Sequence, residues 1–156
     1  MTDAELPAPR TVVPIEPSLL LAAAFDQAQV TELRHSVTAQ ARTVGLTGQR
    51  LDDFVLAINE LITNAVRHGG GRGRLRLWHR GGDLVCEVAD HGQGISERRL
   101  RDRDRPTPET AGGWGLWLAR ELSDTMEVDS GDAGTIVRIT AALDVRQPAS
   151  RRPTDG

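Results

Sequence analysis

The sequence contains no lysine, because all 19 of its basic residues are arginines. This absence excludes phosphate binding by a P-loop lysine, Schiff-base catalysis and the catalytic lysine of typical protein kinases. Cysteine is almost as scarce: Cys86 stands alone, which excludes both an internal disulfide and a zinc site built from cysteines. Its apolar neighbours Val85 and Val88 predict a core position in a strand rather than a nucleophile.

Long apolar runs are also missing. Residues 19–25 are apolar but too few to span a membrane, and no signal peptide is apparent. We therefore expect a cytoplasmic protein that does not associate with a membrane. The net charge of −3 argues against a general nucleic-acid-binding protein, so we expect no direct nucleic-acid partner.

The length of 156 residues fits one domain with one hydrophobic core. Residues 1–17 contain four of the eight prolines and predict a flexible leader. Residues 146–156 are rich in Pro, Arg and Ser and predict a disordered tail. The folded domain is therefore expected over residues 18–145.

The first half of this domain shows both helical and strand periodicity. Residues 19–25 fit a strand or the start of a helix, with the strand favoured, and Asp26 fits the N-cap of a helix over residues 27–44. Further along, Leu75, Leu77 and His79 alternate with Arg74, Arg76 and Trp78, which predicts a half-buried strand.

The second half continues this α+β pattern. A hairpin turn at residues 81–83 leads into a more apolar strand over residues 84–89, expected at the centre of its sheet. A charged segment, residues 96–105, predicts a short helix or the base of a lid, and Pro106 and Pro108 then predict a mobile loop to about residue 111. A helix over residues 116–124 and two strands, 126–129 and 135–143, complete the pattern.

The chain is organised around residues 51–69, whose apolar side chains recur at helical spacing. Glu60, Asn64 and His68 are four residues apart and form one polar line beside the apolar face. A carboxylate, a carboxamide and an imidazole in this order could bind a metal–phosphate group and leave the carboxylate free as a base. A solvated helix face ending at the glycines 69–71 explains the same pattern.

Three further features accompany this line. Asp90 ends a strand and is followed by Gly92 and Gly94, an arrangement that suits a flat heterocycle with an amine, or simply a capped glycine turn. Glycines at 112, 113 and 115 precede a helix, and free N–H groups at a helix N-terminus bind anions. Thr135 opens the last strand, where its hydroxyl could support the Asp90 carboxylate.

Taken in order, these features resemble the four ATP-binding boxes of the GHKL superfamily, which includes gyrase, Hsp90, histidine kinases and MutL. Residues 60–69 resemble the N box, residues 90–95 the first glycine box, residues 113–116 the second glycine box, and residues 134–135 the last box. The resemblance implies an α+β, two-layer sandwich in which a mixed, mostly antiparallel sheet carries helices on one face.

The resemblance also implies a role for each matched residue. Asn64 would hold Mg²⁺ and the phosphates of ATP, and Glu60, one turn earlier, would be the general base. His68 would orient or cap, and Asp90 would bind the adenine amine. The remaining positions would contact the nucleotide: Gly92, Gly94, Gly113, Trp114, Gly115, Leu116 and Thr135.

The chain most resembles the stand-alone anti-sigma factor serine/threonine kinases of this superfamily. About 25 residues precede the first predicted helix, and His35 lies within the ATP domain, so we do not expect an autophosphorylating histidine kinase. The resemblance implies a partner switch, in which the domain binds a sigma factor or phosphorylates a serine of an anti-sigma-antagonist protein. Relatives of this branch are often homodimers.

One position departs from this branch. Its kinases often carry an arginine just before the second glycine box, where this chain has Ala111 and Gly112, although Arg105 or Arg103 could substitute. Three hypotheses therefore stay open: a serine kinase, a nucleotide-gated protein-binding module without phosphoryl transfer, and a domain that keeps the fold but binds no nucleotide.

Overall fold

A computed structural model describes residues 18–92 and 113–143. The described elements are, in chain order, strand β1 (Ser18–Asp26), a 3₁₀ turn (Gln27–Gln29), helix α1 (Val30–Thr43), helix α2 (Gly48–His68), strand β2 (Arg72–Arg80), strand β3 (Asp83–Asp90), helix α3 (Gly113–Leu122), strand β4 (Thr125–Gly131) and strand β5 (Gly134–Ala142). The predicted leader, lid and tail lie outside these residues. The predicted end of the folded domain, residue 145, lies two residues beyond the last described residue, Leu143.

The five described strands form one sheet in the order β1-β2-β3-β5-β4. Each neighbouring pair among them is antiparallel, whereas the resemblance implied a mixed, mostly antiparallel sheet. Strand β3 lies at the centre, as its apolar sequence predicted. The α+β fold class is confirmed.

One hydrophobic core lies between this sheet and the helices. Alternate residues of the central strands, including Leu77, Cys86 and Ile139, are fully buried and pack in one cluster with the apolar faces of α1, α2 and α3. The other face of the sheet carries polar side chains such as Arg74, which is exposed. The sandwich therefore has two layers, with the described helices on one face of the sheet.

Helix α2 forms because its apolar residues recur at helical spacing and become the centre of the core. Its buried side chains are Leu51, Phe54, Ala57, Ile58, Leu61, Ile62 and Ala65. The helix ends at Gly69, whose amide donates to the Ala65 carbonyl oxygen at 2.8 Å. Gly70 and Gly71 then turn the chain with φ of +93° and +89°, a conformation that favours glycine. The predicted glycine stop is confirmed.

The N-terminal region follows its prediction with one local difference. Asp26 is an N-cap, and its side chain accepts a hydrogen bond from the Ala28 amide at 2.9 Å. The turn that it caps is 3₁₀, and the α-helix begins only at Val30. The segment before Asp26 is a strand, as favoured from the sequence.

Helix α3 begins at Gly113 and ends at Leu122, whereas its periodicity predicted residues 116–124. Gly113 and Gly115 therefore belong to the first turn of the helix instead of preceding it. Glycine has a low intrinsic helix propensity, so the pattern placed the start after the glycines. Packing of α3 against α2 supports this first turn in the folded chain.

Trp78 lies on the outer face of β2, as the alternation predicted, but only 8% of it is exposed. The guanidinium groups of Arg76 and Arg138 lie over its ring, 5.2 Å and 5.9 Å from the ring centroid. Val85, its cross-strand neighbour, is fully buried beside it. Neighbouring strands thus bury a side chain that its own strand would leave in solvent.

Candidate functional site

Helix α2 carries the predicted polar line beside its buried face. Glu60 and Asn64 are half-buried, and His68, in the last turn, is exposed. A rise of 1.5 Å per residue separates neighbouring members of the line by about 6 Å along the helix axis. The helix therefore presents a carboxylate and a carboxamide in successive turns at the edge of the core.

The glycine-rich start of α3 lies beside the carboxylate. A Cβ atom added to Gly115 would stand 3.4 Å from Glu60 Oε1 and 3.7 Å from the Glu60 carbonyl oxygen. The next residue, Leu116, is buried in the core and holds the helix there. Backbone N–H groups in the first turn of a helix have no partner within the helix and attract anions. Gly113 and Trp114 supply the first two such positions.

The strand-end carboxylate lies at the other end of the line. Asp90 is the last residue of β3, and its Oδ1 accepts a hydrogen bond from the Gly92 amide at 2.8 Å. Its side chain packs on the Cα of Gly69, since a Cβ added to Gly69 would stand 2.5 Å from Asp90 Oδ2. The end of α2 thus supports the turn that follows β3.

These contacts place two different sets of polar groups along one helical segment. Gly115 contacts the segment at Glu60 and Asp90 contacts it at Gly69, and nine residues correspond to roughly 13 Å of helix. Asn64 lies between these two points. One end offers a carboxylate acceptor for an amine, and the other offers an anion-binding helix start with a carboxamide and a second carboxylate.

Thr135 is the cross-strand partner of Asp90 and is buried, with 3% of it exposed. Its Oγ1 lies 2.8 Å from Ser130 Oγ, and among the hydrogen bonds of residues 18–92 and 113–143 none joins it to the Asp90 carboxylate. The predicted support of Asp90 by this hydroxyl is therefore not direct. A nucleotide contact by Thr135 stays a prediction.

Other predicted positions fall partly or wholly outside the described residues. These are Gly94, the lid with its arginines, and the side chain of Trp114. Within residues 18–92 and 113–143, no three His, Cys, Asp or Glu side chains are grouped as a metal site. Mg²⁺ needs few protein ligands when phosphate and water supply the others, so the metal role of Asn64 stays a prediction.

Cys86 and Glu87 are next to each other on β3 but lie on opposite faces of the sheet. Burial, together with the Glu87 charge, raises the pKa of the Cys86 thiol, so that it stays protonated and serves as a core residue. Partial burial opposes ionisation of Glu87, but hydrogen bonds from Arg138 and Arg76 outweigh it and hold the pKa of Glu87 below its usual value. Neither residue contributes to the polar line of α2.

Comparison with known proteins agrees with this arrangement. Residues 23–141 match the family described as the histidine kinase-like ATPase domain, and the chain belongs to this family. It is 29% identical over 115 residues to an anti-sigma F factor of Thermoanaerobacter sp. (strain X514), a match that covers 69% of this chain and 80% of the relative.

Two further relatives extend the comparison. The chain is 28% identical over 123 residues to the serine-protein kinase RsbW of Bacillus subtilis (strain 168), covering 71% of this chain and 76% of that protein. Its fold is similar to a crystal structure of RsbU and RsbW domains from Mycobacterium tuberculosis, with a TM-score of 0.60 and 23% identity. That match covers 82% of this chain but 32% of the other, so the chain spans about a third of that protein's length.

Among residues 18–92 and 113–143, none of the helices has both the length and the apolar character that crossing a bilayer requires.

Proposed function

We propose that this protein binds ATP with Mg²⁺ along helix α2 and phosphorylates a serine of an anti-sigma-antagonist protein. The observation that carries the proposal is the placement of Gly115 and Asp90 at the two ends of the segment 60–69. The names of the relatives support the same activity, because one is an anti-sigma factor and another is a serine-protein kinase.

The side chains along this segment fit an adenine nucleotide. The Asp90 carboxylate accepts a hydrogen bond from an exocyclic amine, and the start of α3 provides N–H groups for the phosphates. Asn64 supplies a carboxamide oxygen to Mg²⁺, which takes its other ligands from phosphate and water. The γ-phosphoryl group would pass from ATP to the serine oxygen with release of ADP, and the Glu60 carboxylate would take the proton of the serine hydroxyl.

The remaining predicted positions complete this proposal. His68 orients or caps the end of the line, and the nucleotide is contacted by Gly92, Gly94, Gly113, Trp114, Gly115, Leu116 and Thr135. Support comes from the positions of Gly92 and Gly115 beside α2 and from the pairing of Thr135 with Asp90 across the sheet.

The proposed setting is a partner switch in the cytoplasm. The protein binds a sigma factor or an anti-sigma-antagonist protein, and the nucleotide state biases the choice between them. We also propose that it acts as a homodimer, as relatives of this branch often do. The anti-sigma name of one relative supports the choice of partners.

A second candidate function is a nucleotide-gated binding module that sequesters its partner without phosphoryl transfer. The sequence favours it at one point, because Ala111 and Gly112 stand where kinases of this branch often carry an arginine. A missing arginine of this kind can lower the rate of phosphoryl transfer by a factor of roughly 10³ or more. The two candidates share the nucleotide site and differ only in catalysis.

The Glu60→Gln variant separates these functions. Purified protein would be incubated with labelled ATP and candidate antagonist proteins, and phosphoserine would be quantified. We expect Glu60→Gln to lower the rate by about 10²-fold or more, since a general base contributes at least this much, while Mg-ATP binding persists. Glu121→Gln, an exposed carboxylate on α3, is the matched control and should leave the rate unchanged.

The possible outcomes of this experiment distinguish the two functions. Phosphoserine that Glu60→Gln leaves undiminished would refute the role of Glu60 as a base. An ATP-dependent complex that forms without phosphoserine would select the binding module. A chain that binds no nucleotide under any of these conditions would refute both functions.

A further inference from the structure

The three consecutive glycines at the end of α2, residues 69–71, serve two different purposes. Gly70 and Gly71 have positive φ and open space around their Cα atoms, so they are glycines because of their backbone conformation. Gly69 has φ of −110°, which any residue adopts. Its lack of a side chain therefore needs another explanation.

Close approach of the Asp90 carboxylate provides that explanation. A Cβ atom added to Gly69 would stand 2.5 Å from Asp90 Oδ2 and 2.7 Å from Asp90 Cβ, both far inside van der Waals contact. These atoms belong to a short side chain at the end of a central strand, so they have little freedom to move aside. Any side chain at position 69 must displace the carboxylate.

The turn after β3 packs on the same place. A Cβ added to Gly92 would stand 2.5 Å from the Gly69 Cα and 2.7 Å from the His68 carbonyl oxygen. The Gly92 amide in turn donates to Asp90 Oδ1 at 2.8 Å. Gly69 and Gly92 thus fix the carboxylate from two sides, and within the described residues Oδ2 accepts no hydrogen bond.

We propose that Gly69 is a positioning residue that aims Asp90 Oδ2 at the base of the nucleotide and so sets selectivity for a 6-amino purine. This inference rests on the proposed function, in which Asp90 binds adenine. Oδ1 is held by the Gly92 amide, which leaves Oδ2 as the acceptor for the exocyclic amine. The absence of a side chain at Gly69, rather than a contact made by it, determines where that acceptor lies.

Inosine triphosphate tests this directly, because its base carries an oxygen at C6 and a proton on N1, where adenine has the exocyclic amine and an unprotonated N1. The ratio of the two dissociation constants would be measured for the wild type and for Gly69→Ala by titration calorimetry in the same preparation. We expect the preference of the wild type for ATP to fall about 10-fold or more in Gly69→Ala, the effect of losing one hydrogen bond to a charged group. A merely structural defect changes both affinities together and leaves their ratio intact.

Two other variants make the result decisive. Gly82→Ala is the matched control, since a Cβ there meets no atom within 4 Å and its φ is not positive, and its ratio should equal that of the wild type. Gly92→Ala disturbs the same contact from the other side and should also lower the ratio. Because a ratio of affinities does not depend on the folded fraction, partial unfolding of either variant does not hide the effect.

The inference and the proposed function fail in different ways. A wild type that binds neither nucleotide would refute the proposed function. A wild type that prefers ATP, with Gly69→Ala and Gly92→Ala both keeping that preference, would refute the positioning role alone. If Gly69→Ala does not fold, the ratio of Gly92→Ala decides the inference.

Discussion

The two oxygens of the Asp90 carboxylate have different surroundings. Oδ1 is held by the Gly92 amide at 2.8 Å, and Oδ2 lies over Gly69 at the end of α2. An ionised carboxylate accepts hydrogen bonds and donates none. It therefore pairs with an amine on a purine ring and not with a carbonyl oxygen. At the scale of one residue, this difference is the basis of the proposed base selectivity.

Replacing this acceptor by a carboxamide should change the preferred base. In Asp90→Asn, one carboxylate oxygen becomes an NH₂ donor, which pairs with the oxygen of inosine rather than with the amine of adenine. We expect ATP binding to weaken about 10-fold or more and binding of inosine triphosphate to hold or strengthen, as measured by calorimetry. Asp83→Asn, at the exposed start of the same strand, should change neither affinity. Parallel losses for both nucleotides would contradict base reading by Asp90.

Some residues of the candidate site and of the sheet could be placed from the sequence, and others could not. The placement of Glu60 and Asn64 on one helix and of Asp90 at the end of a strand was predictable, because residue types and spacing are visible in the sequence. The roles of Gly69 and Trp78 were not, since one depends on contact with Asp90 and the other on two arginines from different strands. Gly69 and Asp90 are distant in sequence, and so are Trp78 and Arg138.

At the scale of elements, ion pairs between charged side chains join neighbouring strands on the outer face of the sheet. Arg138 donates to Glu87 at 2.6 Å and to Glu127 at 3.3 Å, and Arg76 donates to Glu87 at 3.1 Å. These residues belong to β2, β3, β4 and β5, so the network crosses four neighbouring strands. The same arginines cover Trp78.

The lowered pKa of Glu87 makes part of this stability depend on pH. Partial burial acts against its ionisation, but the hydrogen bonds and charges of Arg138 and Arg76 prevail, so the pKa of Glu87 is lower in the folded chain than in the unfolded chain. The stabilisation is present above the unfolded pKa and is lost as the pH falls through the folded pKa. We expect Glu87→Gln to lower the free energy of unfolding by about 1 kcal/mol near pH 7 and by little near pH 3.

Urea unfolding at the two pH values measures this difference. Glu127→Gln is the matched control, since 73% of that side chain is exposed and its removal should cost less than about 0.5 kcal/mol. A cost of Glu87→Gln that is equal at both pH values would show that ionisation of Glu87 does not contribute.

Element types were easier to predict than element boundaries. The long periodic run of α2 and the central apolar strand β3 were predicted correctly, because burial imposes their patterns. The start of α3 was placed too late, since packing against α2 overrides the low helix propensity of Gly113 and Gly115. The 3₁₀ turn before α1 leaves no distinct signal in the hydrophobic pattern.

At the scale of the whole molecule, the order of the strands was not readable from periodicity alone. Strand β5 lies between β3 and β4, so the last of the described strands lies nearer the centre of the sheet than the strand before it. Only the resemblance to the GHKL superfamily implied a sheet with helices on one face. The match of residues 23–141 to the histidine kinase-like ATPase domain agrees with that resemblance. The same topology brings Asp90 and Gly115, 25 residues apart, to the two ends of one helical segment.

Titration calorimetry with Mg-ATP tests the central claim most directly. The wild type should bind Mg-ATP, and Asn64→Ala should weaken binding about 10-fold or more by removing the oxygen offered to Mg²⁺. Asn59→Ala is the matched control on the same helix, because Asn59 pairs with Arg34 at 3.2 Å, away from the polar line, and it should bind like the wild type. A wild type that gives no binding signal, or an Asn64→Ala variant that binds as tightly as the wild type, would contradict a nucleotide site along α2.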